Sequence, residues 1–138
     1  MSAPVDEALA RAPADDVHAR VAALVDGITA TMGSSLALGR RLIALTVQEP
    51  DREDGAPRRG YRRIGWIETA LEPVRARLGP EAFAGLVSAL AVVVGWEAFI
   101  VLTDVRGLDP DEAGACTRRS AAWLLDAALA EAAGLGAV

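Results

Sequence analysis

The chain has very few side chains of the kinds that carry reactive chemistry, with one cysteine and one histidine in 138 residues. A single cysteine, Cys116, excludes a disulfide within the chain, and one histidine leaves no plausible zinc-ligand spacing. The sequence also lacks a P-loop, a glycine-rich dinucleotide turn and a GxSxG nucleophile elbow. We therefore expect no catalytic residue, no metal and no cofactor, and we do not expect an enzyme.

Aromatic residues are scarce too, at 4% of the sequence, whereas Ala, Leu, Val and Arg are abundant. This balance favours closely packed helices over a sheet, which would be richer in aromatic and β-branched residues. A chain of this length with 52% hydrophobic residues can bury the core of one domain. We predict an all-α fold.

Basic residues are outnumbered by acidic ones, which gives a net charge of -5 and a pI near 4.8. Binding to nucleic acid requires a surplus of Lys and Arg on one face, so we do not expect the chain to bind DNA by itself. The N-terminus lacks the basic-then-apolar layout of a secretory signal, and the expected location is the cytoplasm.

The first half of the chain predicts a short tail followed by two helices. Residues 1–14, with two prolines, are predicted to be a tail or a helix remnant, and residues 15–138 the folded domain. Asp15 or Asp16 can cap the first helix, and Gly33 is predicted to end it. Ser34 can cap the second helix, which extends to about Gln48. The first helix carries one apolar stripe: Val17, Val21, Leu24, Ile28 and Met32.

Residues 49–60 are charged, contain two prolines and two glycines, and predict a mobile loop. The next helix, about residues 61–78, contains Pro73, which predicts a kink or a break because proline lacks an N–H. Gly79 is expected to end that helix, and Pro80 to open the next.

Residues 80–106 form the most apolar stretch, in which Glu97 is the only charge between residues 82 and 103. We predict one helix about 40 Å long, apolar on nearly all faces. Such a helix must be covered by its neighbours and a second copy of the chain, or by lipid. We disfavour a membrane span because Glu97 would lie in the hydrocarbon. Gly107 is predicted to end this helix, and Asp109 with Pro110 to open the last one.

Three segments carry a family resemblance: residues 67–78 (Ile-Glu-Thr-Ala-Leu-Glu-Pro-Val-Arg-Ala-Arg-Leu), 94–104 (Val-Gly-Trp-Glu-Ala-Phe-Ile-Val-Leu-Thr-Asp) and 107–113 (Gly-Leu-Asp-Pro-Asp-Glu-Ala). Over about half of its length the chain resembles the C-terminal domain of tetracycline-repressor-like (TetR/AcrR) transcription factors. The resemblance implies a bundle of about five helices whose last two long helices form a four-helix dimer interface. The family's helix-turn-helix is absent, so any DNA binding would need that missing part.

The resemblance also implies an apolar effector pocket, a small apolar or amphipathic ligand, and a homodimer. A carboxylate within an apolar helix, as Glu97 would be, must be paired, solvated by a cavity or protonated, whereas the aromatic residues could equally be ordinary core. The expected ligand-binding residues are Trp66, Ala70, Trp96, Glu97, Phe99, Met32 and His18. The resemblance implies a dimer interface at Val101, Val105, Ala113, Cys116, Thr117, Ser120, Ala121 and Leu124. Those from Ala113 onward lie in a stripe of mostly small side chains, which allows close packing. The alternative is a helical protein-interaction or scaffold module with a filled core and no ligand.

Overall fold

All the regular elements in the computed structural model are helical, within the residues that the structure describes: 3–50, 55 and 61–134. The prediction of an all-α protein is confirmed. The predicted mobile loop at 49–60 lies mostly outside the described residues. The helices are α1 (Ala3–Arg11), α2 (Val17–Ala30), α3 (Met32–Gln48), α4 (Tyr61–Leu71), α5 (Arg75–Val93), α6 (Trp96–Ile100) and α7 (Pro110–Ala132).

The first helix, α1, packs on α2 and belongs to the core, although the sequence predicted only a tail or a helix remnant there. Val5 and Leu9 are 2% and 6% exposed. Gly27 of α2 permits the close approach, because a Cβ atom at this position would lie 3.0 Å from the Cα of Val5. The short sequence gave little periodicity, and tertiary packing determines its structure.

The apolar stripe predicted for α2 is confirmed, because Val17, Val21, Leu24 and Ile28 are buried. Asp16 caps the helix by accepting a 3.0 Å hydrogen bond from the Ala19 N–H.

Hydrogen bonds place the boundary between α2 and α3 two residues before the predicted Gly33 and Ser34. The junction is Thr31, whose N–H and hydroxyl both donate to the carbonyl of Ile28, at 3.1 and 2.8 Å. The Ser35 N–H donates to the carbonyl of Thr31, which is the first hydrogen bond of α3. Among the residues that the structure describes, no side chain caps this helix, so the predicted cap at Ser34 is not formed. The side-chain hydroxyl of Thr31 thus competes locally with helix continuation, two residues before the glycine.

The break predicted at Pro73 is confirmed as a 3-10 turn, Glu72–Val74, between α4 and α5. Pro73 has no N–H to donate to the carbonyl of Thr69. Arg20 of α2 supplies this hydrogen bond from Nη2 at 2.6 Å, and its Nε donates to the carbonyl of Ala70 at 3.2 Å. A side chain from α2 therefore satisfies the carbonyl groups that the break leaves open.

The prediction of one helix over residues 80–106 is wrong. Gly79 has φ +80° at the start of this segment, and α5 ends at Val93. Gly95 then adopts φ +114°, after which α6 and a π-helical turn, Val101–Val105, follow. A left-handed backbone at Gly95 interrupts the helix because it cannot continue the α-helical hydrogen-bond ladder.

The last helix, α7, begins as the sequence predicted. Gly107 has φ +69°, and Asp109 and Glu112 form a reciprocal capping box around Pro110. Buried side chains of α7 pack on α2 and α5, with Leu125 completely covered.

The predicted dimer stripe on α7 requires a correction. Ala113 and Ala121 are 0% exposed and Thr117 is 7% exposed within a single chain, so these three cannot meet a second copy. Small side chains here allow α7 to approach its own neighbours closely. Cys116, Ser120 and Leu124 are only partly covered.

By length and composition alone, one helical run, Arg62–Val93, could cross a membrane, and α2 and α3 qualify only if they are taken together across their bend. This is a weak indication, because a core helix of a soluble protein can meet the same criteria. The Arg62–Val93 run is itself interrupted at Glu72–Val74 and bent at Gly79. The span considered from the sequence, residues 82–103, contains the break at Gly95.

Candidate functional site

A mainly apolar cavity of about 500 Å³ lies among α1, α2, α3, α4 and the start of α6. This volume falls in the range of about 300–1,000 Å³ that is typical of small-molecule sites. The lining residues are Pro4, Val5, Ile28, Thr31, Met32, Ser35, Leu38, Leu42, Arg62, Arg63, Trp66, Gly95 and Trp96.

One wall is the indole of Trp96, which α3 holds in place. The ring lies directly over Gly39, where an added Cβ atom would come within 2.7 Å of the indole Cε2. The indole Nε1 also donates a 3.2 Å hydrogen bond to the hydroxyl of Ser35. A glycine in the middle of α3 therefore allows the contact with α6, at the usual cost of glycine in a helix.

A second indole, Trp66, comes from α4. Its Nε1 donates to Oδ1 of Asp6 at 3.2 Å, which links α4 to α1. An indole has a large apolar surface and one polar N–H, and in both tryptophans the N–H is satisfied by a neighbouring helix. Both indoles line the cavity with their N–H groups already bonded.

An ion pair between Arg63 and Glu97 adjoins the cavity. The Nη1 of Arg63 lies 2.7 Å from Oε1 of Glu97, and the side chains are 19% and 35% exposed. The sequence had left Glu97 paired, solvated or protonated, and the structure shows an arginine partner. The guanidinium packs on Gly95, where a Cβ atom would collide with Nη1, so that glycine is required for contact as well as conformation.

A bidentate pair ties α3 to the turn that follows α6. Nη1 and Nη2 of Arg40 donate to Oδ2 and Oδ1 of Asp104 at 2.8 and 2.7 Å. Hydrogen bonds from Arg40 lower the pKa of Asp104 below its ordinary value of 3.8. Because both groups lie at the surface, water and salt screen this interaction.

Of the seven expected ligand-binding residues, three line the cavity and two are buried in the core. Met32, Trp66 and Trp96 line the cavity together. Ala70 and Phe99 are 0% and 7% exposed and belong to the packed core instead.

The remaining two expected ligand-binding residues, Glu97 and His18, lie neither in the cavity lining nor in the packed core. Glu97 pairs with Arg63 behind the wall. His18 lies on the outer α2–α7 surface, where its Nε2 is 2.7 Å from Oδ1 of Asp126 and both side chains are more than half exposed.

The expected ligand-binding residues did not include the two that position this wall, Arg63 and Gly39. Arg63 was noted in the sequence only as part of a basic cluster that could contact an anionic partner. A usable signal existed for Arg63, because it precedes Trp66 by three residues and must share a helix face with it. For Gly39 the only signal was a glycine inside a helical pattern, which is compatible with a close backbone approach but does not identify the partner.

Two other depressions are less suited to an apolar molecule. The one between α2 and α7, about 590 Å³, is lined by Asp26, Asp111, Arg118 and Arg119 among others. The one along α4 and α5, about 610 Å³, includes exposed Arg75, whose guanidinium lies 4.4 Å from the centre of the Phe83 ring. The cavity with the two indoles has the most apolar lining of the three.

Within the described residues, no three His, Cys, Asp or Glu side chains are grouped so as to hold a metal ion. Comparisons with protein-family models, with curated proteins and with solved structures find no match. The fold and the site thus define a class in structural terms only: an all-α protein with an apolar cavity beside a partly buried ion pair. Its geometry suits binding of a small molecule.

Proposed function

We propose that this chain is a small-molecule effector-sensing and dimerisation domain of the tetracycline-repressor type, unable to bind DNA by itself. The observation that carries the proposal is the cavity of about 500 Å³ in which Met32, Trp66 and Trp96 meet. These residues come from three different helices, α3, α4 and α6. A ligand there would contact all three at once, as a sensor requires.

A sensor must also convert binding into a change elsewhere, because a ligand shifts an equilibrium only by favouring one of two states. Trp96 lies immediately after the left-handed Gly95 and begins α6. The π-helical turn Val101–Val105 connects α6 to the start of α7. A guest that moves the indole would therefore act on the segment that leads into α7.

The proposed dimer uses exposed apolar side chains near this segment and on α7. Val101, Val105 and Trp123 are 51%, 78% and 65% exposed. Sedimentation should show a dimer that Val105→Glu and Trp123→Glu shift towards monomer, since a charge would be buried at the interface. Leu45→Glu on α3 is the control, and a monomeric wild type would contradict this part of the proposal.

Thermal shift tests the ligand site. Apolar compounds should raise the unfolding temperature more as their concentration increases. A ligand at a hundred times its dissociation constant adds about 2.7 kcal/mol to the free energy of unfolding. Leu38 and Leu45 provide a matched pair on α3, with exposed fractions of 56% and 61%, and Leu38 alone lines the cavity. Leu38→Trp should weaken binding and Leu45→Trp should not.

One observation favours the alternative, a helical interaction module that binds no small molecule. Leu38, Leu45 and Val47 of α3 are all more than half exposed, which suits contact with another helix. In that case no compound would stabilise the protein, and Leu38→Trp and Leu45→Trp would behave alike.

A further inference from the structure

The cavity has a cationic end. Among the described residues, the charged ones that line it are Arg62 and Arg63, on the first turn of α4. Glu97, the partner of Arg63, does not line the cavity. An apolar chamber whose charged wall residues are of one sign favours a ligand with an opposite charge at one end.

The guanidinium of Arg63 also has an unused donor. Nη1 and Nη2 donate to Glu97 at 2.7 and 3.4 Å, whereas Nε is buried and has no hydrogen-bond partner among the described residues. A buried N–H without a partner is unfavourable. On a guanidinium, Nε and Nη2 form a fork of two parallel N–H groups that fits a carboxylate.

We infer that the cavity binds an apolar molecule that carries one carboxylate. The carboxylate lies at the arginine end, where a turn of the Arg63 side chain brings the unpaired Nε into contact with it, and the hydrocarbon lies among Met32, Trp66 and Trp96. A singly charged head group fits better than a dianion such as a phosphomonoester, because Glu97 remains close to Arg63 and repels further negative charge. This inference rests on the proposed function and names the class of its ligand.

Octanoate and 1-octanol test the inference, because they share a chain and differ in the head group. Titrations at pH 7.5, followed by tryptophan fluorescence and by thermal shift, should show octanoate binding about tenfold more tightly than octanol. A difference of this size corresponds to one charge-assisted hydrogen bond. The fluorescence change is expected because two of the chain's three tryptophans line the cavity.

A double variant, Arg63→Gln with Glu97→Gln, removes both charges together, so that neither is left buried alone. It should lose the tenfold preference and retain binding of octanol. Arg118→Gln is the matched control, since it removes an arginine from the Arg118–Asp26 pair on the α2–α7 surface, and it should keep the preference. Circular dichroism verifies the fold of each variant. If the double variant is unfolded, the relative affinity of the wild-type protein for octanoate and octanol decides the inference.

The outcomes separate this inference from the function on which it rests. Equal affinity for octanoate and octanol, or a preference that persists in the double variant, would overturn the carboxylate assignment and leave the cavity as a site for neutral molecules. Binding of neither compound, to wild type or to the Arg118→Gln control, would contradict both proposals.

Discussion

The two sides of α2 are packed very differently. On the side where α2 packs against α7, which in turn packs on α5, Leu24, Leu90 and Leu125 are completely buried. On the α3 side, Leu38 and Leu45 are 56% and 61% exposed. The α7 side is therefore a filled core that stabilises the fold, and the α3 side leaves room for a small-molecule ligand.

A few specific contacts, and not extensive burial of apolar side chains, hold α3 against the rest of the domain. Trp96 lies on Gly39, and Arg40 pairs with Asp104. A helix with few buried apolar side chains can open locally at a lower free energy than the whole domain unfolds. We expect α3 and α6 to rearrange around a ligand while the α2–α5–α7 core stays intact.

The largest predicted effect distinguishes the two sides directly. Leu125→Ala should lower the free energy of unfolding by about 2–5 kcal/mol, because it leaves a cavity in the filled core. Leu45→Ala, on exposed α3, should change it by less than about 0.5 kcal/mol. Urea denaturation measures both, and similar losses would show that α3 is as well packed as the core.

A smaller effect is expected at the contact that holds α3. Gly39→Ala should cost about 1–3 kcal/mol and change the tryptophan fluorescence, because the new methyl group displaces the indole of Trp96. Gly65→Ala is the matched control on α4, where a Cβ atom would meet nothing within 4 Å. That control should be neutral or stabilise by about 0.5–1 kcal/mol. Equal behaviour of the two variants would mean that the indole does not rest on α3.

The hydrogen bond from Arg20 of α2 to the Thr69 carbonyl, beside the break between α4 and α5, is predicted to contribute about 1 kcal/mol to the free energy of unfolding. Arg20→Met should lower stability by that amount, because the Thr69 carbonyl loses its donor. Pro73→Ala supplies an N–H to the same carbonyl, so Arg20→Met should cost less in that background. A double-mutant cycle measures the coupling, and additive effects would contradict this account of the break.

The smallest effect concerns the surface pair between Arg40 and Asp104. Arg40 lowers the pKa of Asp104 in the folded protein, so the pair stabilises the fold above the unfolded-state pKa. This contribution is lost as the pH falls through the folded-state pKa, which lies below 3.8. The stability difference between wild type and Asp104→Asn should therefore be present at neutral pH and disappear on acidification. A difference independent of pH would exclude a charge effect.

Helix boundaries that depend on local chemistry could be predicted from the sequence. Asp16, Pro73, Gly107 and Asp109 act through their own hydrogen bonds or backbone preferences, and all four have the predicted roles. The apolar stripe of α2 followed from periodicity for the same reason.

The break at Gly95 could not be predicted, because almost every residue around it is apolar and periodicity carries no information in such a run. Gly95 also packs against Arg63, which is 32 residues away in sequence, and a Cβ atom would prevent this contact. The cavity itself arises where side chains of several helices meet. Sequence could identify Trp66 and Trp96 as candidates, but it could not place Ala70 and Phe99 in the core.

The central claim is that the α3 side is open to a small molecule and the α2–α5–α7 core is not. Methyl NMR tests this most directly, because Met32 is one of only two methionines and lines the cavity. Titration with octanoate should shift the Met32 and Ile28 methyl signals saturably and leave those of Leu90 and Leu125 unchanged. Unshifted Met32 and Ile28 signals, or equal shifts at all four residues, would contradict the claim.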